Sequence, residues 1–550
     1  HGMPAFPQVI ESVSEAWQDR RDQVLGTADQ IVTALAEHRD QDPTEALDVT
    51  VVDEAARVAV GAWDQRHGGF GRAPKFPQAM TIEWLLHHHV RTHDADSLAS
   101  AVHSLDAMAR GGIHDQVGGG FARYSTDERW LVPHFEKMLY DNALLLPAYA
   151  TAAAITGDDD LARVTRTTVT YLLDEVRTDE RLFVSASDAD SEGVEGRFFV
   201  WSDEEFREVV AGVGADPDLF AAYLGVVPGG NWEGTNVLHR PLGDVAFAQQ
   251  HGITVDDLHA EWARVRAALA ERRAGRIAPA VDDKVLADWN ALAIRGLVVA
   301  ARLLDEPAWA EAARVSLDAV HEHLTVDGVL HHSWRDGRVG APAFLDDLAA
   351  LGVANLEVLS VTGDARYLQR AVALAQDADA RFRDPHGAWF QTPSDAEPLF
   401  TRPRSTWDNA TPTGTSMMVE LCLALGDLTG EAHWTDRAIE AARVGQPGVA
   451  RMPTGFGWLL RQFEALAAEP RQVAVVGPAG SARDELARVA FVPPRPGVRV
   501  VVSDDTHDDA VALLAHRHGI DGAPAAYVCR GLVCDAPVTT PEEVRTLLDG

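Results

Sequence analysis

Cysteine is nearly missing from this chain. Cys422, Cys529 and Cys534 are the 3 in 550 residues, too few for a disulfide framework. Cys529 and Cys534 do not form a C-x-x-C pair, and no second pair or nearby histidine completes a zinc site. They read as a structural or incidental pair, and Cys422, inside an apolar helical run, as a buried and inert thiol. Positive charge is also short, with 48 basic against 83 acidic residues and a formal net charge of −35. That balance argues against nucleic acid and anionic membrane as partners. No apolar run reaches the roughly 18 residues of a transmembrane helix. HGMPAFPQ at the start has no basic region leading into an apolar one, so no signal peptide is read and a cytoplasmic location is expected. The first residue is not Met, so the chain is expected to be a piece of something longer. RQVAVVGPAG lacks the three-glycine spacing of a dinucleotide fingerprint, and no cofactor or metal is expected.

What is present is apolar helix, repeated. Apolar residues make up 46% and charged residues 24%, a globular composition. Such a length exceeds one compact core unless the architecture is toroidal or repetitive. Residues 1–48 read as a helical lead and polar linker. From about Val49 a pattern sets in: a helix, a short acidic or Gly turn (TGDDD, LDEP, TGDA, TGEA), a second helix, then a segment of Gly and aromatics. The Gly-aromatic mark recurs as HGGFGRAPKFP, VGGGFARYS, DERLFVSAS, DGVLHHSW, HGAWFQTP and PTGFGWLL. Helix pairs joined by short turns are antiparallel hairpins, and periodic marks signal a repeat architecture. These marks predict an all-α dominated fold, an (α/α)6 toroid over 49–466; a linear α-solenoid is the alternative. One face carries elaborate loops and the other plain turns. Elaborate loops are where sites sit. The grammar lapses at 202–277, read as an insertion on the elaborate face and a candidate lid. Residues 467–550 alternate β-type runs (RQVAVVG, VRVVVS) with helical ones (SARDELARVAF, HDDAVALLAHRHG, PEEVRTLLDG), a small α/β appendage. AAYVCRGLVCDAPV reads as a hairpin turning at Arg530–Gly531.

Four stretches carry candidate chemistry. The richest is ARGGIHDQVGGGFARYSTDERWLVPHFEKMLYDNA, with His114, Asp115, Tyr124, Trp130, His134, Glu136, Tyr140, Asp141 and Asn142. Two histidines in one loop suit proton removal and return near neutral pH. SASDADSEGVEGRFFVW brings Asp188 and Asp190, carboxylates suited to glycoside chemistry. PAVDDKVLADWNALA brings Asp283, Lys284, Asp288, Trp289 and Asn290, an ion pair, aromatic platform and amide suited to sugar hydroxyls. RPRSTWDNATPTGTSMM brings Trp407 and Asp408. Each also reads more blandly as helix capping or a solvated acidic turn. A ring would bring all four around one cavity.

The first of these stretches, with SASDADSEGVEGRFFVW, DDKVLADWN, FLDDLA (which contains Asp347) and WDNATPTGTS, resembles the YyaL-type family, also known as spermatogenesis-associated protein 20. The resemblance runs essentially end to end. It implies a thioredoxin-like domain followed by an (α/α)6 barrel similar to N-acylglucosamine 2-epimerases and six-hairpin glycosidases. This chain is expected to begin where the thioredoxin-like domain ends, since no CHWCH-type motif is present. The family's DKxLxxWNGLM becomes DKVLADWNALA here, and its PSGNS-like segment becomes PTGTS.

The expectation is a protein acting on a small, sugar-like molecule by epimerase or isomerase chemistry. His114 and His134 would be the acid and base, with Asp115, Glu136 and Asp141 orienting them. Tyr124, Trp130, Tyr140, Asn142, Asp283, Lys284, Trp289, Asn290, Asp347 and Trp407 would hold the substrate. A glycosidase using Asp188 or Asp190 with Asp408 is the first alternative. A non-catalytic binding module is the second, and a cavity plugged by side chains would favour it.

Overall fold

The computed structural model describes residues 4–39, 46–506 and 509–549. Twelve of its helices form the central body, numbered here α1 (Val51–Gly61), α2 (Ala79–Thr92), α3 (Ala95–Arg110), α4 (Leu139–Thr156), α5 (Asp159–Tyr171), α6 (Ala287–Leu304), α7 (Pro307–Leu324), α8 (Leu345–Thr362), α9 (Ala365–Phe382), α10 (Gly414–Thr429), α11 (Ala432–Arg451) and α12 (Gly457–Ala467). The even helices pack side by side in the order α2, α4, α6, α8, α10, α12, and α12 returns onto α2. That closure makes an (α/α)6 toroid rather than a solenoid. The odd helices form the outer wall, α3 on α2, α5 on α4, α7 on α6, α9 on α8 and α11 on α10, with α1 wedged against α11 and α12.

Composition decides which helix goes inside. In α4 every residue from Asn142 to Ala153 is buried, and in α8 every residue from Asp347 to Ser360. A helix apolar all round belongs in a core. Outer α5 buries only one stripe, including Leu161, Val164, Thr165, Thr168 and Val169, at the spacing of an amphipathic helix. Neighbouring inner helices touch closely: a Cβ at Gly296 would lie 2.8 Å from the carbonyl oxygen of Ala143. Truncating a fully buried inner residue such as Leu297 to Ala costs about 2–5 kcal/mol.

The plain turns share one device. The first five inner helices each end on a left-handed residue, and the next residue is the N-cap of the outer helix. Gly157 (φ 70°), Gly363 (φ 66°) and Gly430 (φ 75°) end three of them, a conformation glycine adopts without a Cβ penalty. Asp94, Asp158 and Asp364 then accept from first-turn N–H groups of α3, α5 and α9. All elaborate loops therefore fall at the N-terminal ends of the inner helices, which form the mouth of the ring.

The ring is not an open pipe. At mid-depth Arg295 donates to Glu83 (2.5 Å), and Arg461 donates to Glu83 (3.0 Å) and Glu420 (2.5 Å). The Trp458 ring lies between the two guanidinium groups, at 4.6 and 4.5 Å. These residues come from α2, α6, α10 and α12 and close the bore beneath the mouth.

The segment between α5 and α6 holds four helices, Asp203–Gly212, Pro217–Tyr223, Asp244–His251 and Val255–Ala274, around their own core of Trp201, Phe206, Phe220, Tyr223, Leu258 and Trp262. It is bolted to the barrel flank. Buried Arg240 reaches Asp160 of α5 (3.0 Å), and Arg273 reaches Asp115 (2.9 Å). Those contacts tie the segment, expected as an insertion and candidate lid, to the flank of the barrel.

Beyond α12 the chain forms a four-stranded sheet. Arg471–Val476 pairs in parallel with Val498–Ser503 and antiparallel with Ala525–Arg530, which pairs with Val533–Cys534. The helix expected at HDDAVALLAHRHG does not form across the described part, 509–519, which runs as turns; residues 507–508 of it lie outside the described residues. Arg517 donates to the carbonyls of Ala512 and Ala515 there, taking oxygens that a helix would give to backbone N–H groups. Cys529 and Cys534 face each other across the hairpin and are joined by a disulfide. Among the described residues no helix is long and apolar enough to cross a membrane.

Candidate functional site

The mouth is assembled by small sheets that stitch neighbouring loops together. Lys137–Met138, Ala186–Ser187 and Val281–Asp282 form one, tying the loops that lead into α4 and α6. Val285–Leu286 pairs with Ser333–Arg335, tying the loops that lead into α6 and α8. These ladders carry the first turns of α4, α6 and α8 into one arc.

Two asparagines lock the arc. Asn142, in the first turn of α4, accepts from the Phe121 N–H (2.7 Å) and donates to the Phe121 and Met138 carbonyls. Asn290, at the equivalent place in α6, accepts from the Phe183 N–H (2.8 Å) and donates to the Phe183 and Leu286 carbonyls. Both are fully buried. Their amides are spent on the backbone, so they are scaffold and not substrate ligands as expected.

In the arc, Tyr140 meets Trp289 edge to face, with ring centroids 4.8 Å apart. Burial pushes the Tyr140 hydroxyl up to about 12, against the Arg123 charge that lowers it. Arg123 donates to Glu136 (3.1 Å). Next to Tyr140, Asp141 is held well above the usual carboxylate range, first by burial. Its Oδ2 and the Arg123 Nε are both shut off from solvent with no hydrogen-bond partner.

On the α8 side, Asp347 is fully buried. It accepts from His332 Nδ1 (3.0 Å), from the Phe344 N–H (2.8 Å) and from the Asp288 N–H (3.3 Å). The Asp347 hydrogen bond lifts the His332 imidazole above its usual range. Asp288 is held well above its range by burial and then by the Asp347 charge. Asp346 is raised to about 6 for the same two reasons, and it accepts from the Gly414 N–H at the start of α10. Burial beside like charge drives such carboxyls toward the neutral form. Raised carboxyls beside a carboxylate-oriented histidine are the furniture of acid–base catalysis.

Ligand atoms of Asp288, His332 and Asp347 lie within 4.8 Å of one another, close enough for a cation. Both Asp347 oxygens already accept hydrogen bonds, so a cation there would displace His332. Asp160, Asp244 and His259 make a second such group. Arg240 and Arg163 already neutralise it, at 2.7 and 2.6 Å from Asp244 and Asp160.

Several expected residues land elsewhere. His114 and His134 are not partners. His114 is buried, packed at a tilt on Phe121 (4.8 Å), and both its ring nitrogens lack hydrogen bonds; burial pushes it down to about 3, so it stays neutral. His134 sits partly exposed with Tyr124 stacked on it (5.0 Å) and Glu195 at 2.7 Å. Asp115 is a structural anchor. It accepts from Lys137 (2.9 Å), Arg273 (2.9 Å) and the Val117 and Gly118 N–H groups, and Arg273 and Lys137 hold it well below the usual range against the burial that raises it. Trp130 is completely buried and donates to the His67 carbonyl, leaving no ring face for a sugar. Asp408 is buried and accepts from the N–H groups of Thr413 and Trp458, which ties the loop before α10 to the start of α12.

Asp188 and Asp190 are exposed at the Ala186–Glu195 hairpin, and nothing brings them to Asp408. Asp283 pairs with Arg335 (2.7 Å) and Lys284 with Asp282 (2.8 Å) on the rim. Trp407 is exposed, leaning on Phe456. Tyr140, Asp141, Glu136, Trp289 and Asp347 are the expected residues that the arc unites.

Arg123, Asp346 and His332 complete the arc without having been picked as site residues, and Asp288, named in its stretch but given no role, joins them. A signal for three of them existed. Asp288 and Asp346 occupy the first turns of α6 and α8, as Asp141 does in α4, and His332 lies within the repeat mark DGVLHHSW.

No family model matches the chain. An uncharacterized protein of Caenorhabditis elegans is 28% identical over 589 residues, covering 100% of this chain and 80% of that protein. Human spermatogenesis-associated protein 20 is 27% identical over 595 residues, covering 99% of this chain and 75% of that protein. Among solved structures, a GH76 α-mannanase from Bacteroides thetaiotaomicron superposes with a TM-score of 0.45 at 11% identity, over 75% of this chain and 94% of that one. A cellobiose 2-epimerase from Spirochaeta thermophila gives 0.44 at 15% identity, over 72% and 85%.

Proposed function

The chain is a homologue of spermatogenesis-associated protein 20 over essentially its whole span, and from the mouth geometry we propose that it is a carbohydrate-directed enzyme of isomerase or epimerase type. One observation carries this reading. Arg123 Nε and Asp141 Oδ2 are buried without partners beside the Tyr140–Trp289 wall. Buried polar groups are ordinarily satisfied, so an orphan donor and an orphan acceptor at one aromatic wall are groups kept for a polar, ring-shaped ligand.

The chemistry follows from the three first turns. His332 is fixed through Nδ1 on Asp347, which leaves Nε2 as the basic nitrogen. It takes the proton from the carbon beside the sugar carbonyl. Negative charge grows on the carbonyl oxygen, and Arg123 and the Asp288 carboxyl are the donors that meet it. Asp141, held toward its protonated form by burial, is the carboxyl that returns a proton. Return to the same carbon gives the epimer; return to the neighbouring carbon gives the aldose–ketose isomer.

The test is deuterium exchange at the carbon next to the carbonyl, followed by NMR in D2O over a panel of aldoses, ketoses and amino sugars. His332→Gln is expected to slow exchange by about 10²–10⁴-fold. The acid limb of the pH profile is expected above the ordinary histidine value of about 6.5, because Asp347 raises His332. No exchange with any sugar would refute the reading. Asp141 and Asp288, both raised by burial on adjacent inner helices, are the carboxyls a glycoside hydrolase would use. Release of aryl alcohol from nitrophenyl glycosides without exchange would select that second reading.

A further inference from the structure

We infer that the rear of the ring, where the C-terminal sheet closes it, is a binding site for a small multivalent oxyanion of the phosphate type. This end lies opposite the mouth, and no step proposed there uses it. The strand Val498–Ser503 packs across the C-terminal halves of α8 and α10, and the helix Ser481–Phe491 against α6. Between sheet and ring lies a cavity of about 120 Å³, room for about four waters at ~30 Å³ each. That suits an inorganic anion and excludes a whole nucleotide.

The wall is cationic in a chain that is otherwise strongly acidic. Arg302, Arg461, Arg495 and Arg499 line it, against Glu357 and Glu420. Four guanidinium groups line it with two carboxylates, Arg302 paired with Glu357, Arg461 with Glu83 and Glu420, and Arg495 with Asp549 (2.8 Å), although the whole chain has 48 basic against 83 acidic residues. The two halves of the molecule each supply two of the arginines, Arg302 and Arg461 from the ring, Arg495 and Arg499 from the appendage. Neither half has the site alone.

The arginines also have donors to spare. Arg461 spends its terminal nitrogens on Glu83 and Glu420, and its Nε is buried without a partner. Arg499 is held only by a long approach of its buried Nε to Asp427, 3.5 Å, outside hydrogen-bond geometry. Unsatisfied buried donors are costly, and charge-assisted bonds to an oxyanion satisfy them best. A tetrahedral anion presents acceptors in several directions at once, as donors arriving from two sides of a cavity require. His87 on α2 adds a neutral donor to the same wall; burial pushes it down to about 3. The rim, Pro493–Gly497, is half-buried, so the cavity communicates with solvent along that loop.

The experiment is calorimetric titration of the full chain with inorganic phosphate, ionic strength held constant with sodium chloride, alongside thermal melts. One phosphate per chain is expected to bind, and the melting temperature is expected to rise with phosphate and not with chloride. Arg499→Gln and, separately, the rim variant Arg495→Gln are each expected to weaken binding at least tenfold, and Arg495→Gln, whose partner Asp549 is exposed, is expected to melt like the wild type in chloride. Arg530→Gln, on the far hairpin, is expected to bind phosphate as the wild type does. Phosphate no better than chloride would overturn the assignment. So would wild-type affinity in both cavity variants, or malonate binding more tightly than phosphate, which would make the site one for dicarboxylates.

Discussion

Replacing Asp115 by Asn separates a structural from a catalytic role for the most suggestive loop in the chain. Asp115 is buried with Lys137 (2.9 Å) and Arg273 (2.9 Å), whose side chains are 5% and 6% exposed. The variant leaves two buried cations facing an amide. Breaking one partner out of a buried pair costs about 3–5 kcal/mol, a large share of the roughly 5–15 kcal/mol that holds a typical domain folded. The loss falls on the junction between the loop before α4 and the helix Val255–Ala274, because Arg273 is in that helix's last turn. The readout is amide hydrogen exchange resolved by peptide. At about 1.4 kcal/mol per tenfold, amides of Val255–Ala274 are expected to exchange about 10²–10³-fold faster, as a local opening. Inner helices such as α8 are expected to keep their protection. Unchanged exchange in Val255–Ala274 with a lost reaction would refute this reasoning and return Asp115 to the chemistry.

Three further outcomes follow from the same geometry. Asn142→Ala or Asn290→Ala strands a buried N–H and carbonyls of the preceding loop, so each is expected to cost about 2–4 kcal/mol in urea unfolding; a cost below about 0.5 kcal/mol would mean the loops are held by something else. Asp346 is raised from 3.8 to about 6. The stability this group contributes is present below its unfolded value and lost as pH rises through the folded one, on the order of 2–3 kcal/mol. Asp346→Asn is therefore expected to flatten the difference between urea midpoints measured at pH 4 and pH 7, and an unchanged difference would refute the shift. Cys534→Ser opens a disulfide of sequence separation 5. Loop-entropy reasoning puts the loss at about 2 kcal/mol, read as a lower melting temperature of the C-terminal sheet and matched by reduction of the wild type.

The repeat was legible because it is written in local chemistry. Apolar-all-round helices alternate with amphipathic ones, and TGD-type turns join them, since a left-handed residue followed by a capping aspartate needs no tertiary context to form. The Gly-aromatic marks were legible for the same reason, and they identified the elaborate face correctly. Residues within the marks were harder to rank. Asp141 and Asn142 are adjacent and equally polar in the sequence. One ends with an unpartnered oxygen, and the other spends its whole amide on Phe121 and Met138.

By itself the sequence determined that the chain closes helical hairpins into a ring, on which face of that ring the elaborate loops lie, and that an α/β unit follows it. Period, caps and turns act over a few residues, and a few residues are enough to read them. Tertiary structure decided which polar groups are free. Asp288 with Asp347, Tyr140 with Trp289, and Arg461 with Arg499 meet only when the ring closes and the sheet covers its rear. Whether a carboxyl is an anchor like Asp115 or a proton store like Asp288 depends on cations and buried surface brought from more than a hundred residues away, as Arg273 is to Asp115. Burial and charge pairing are properties of the assembled surroundings, and no local pattern encodes them.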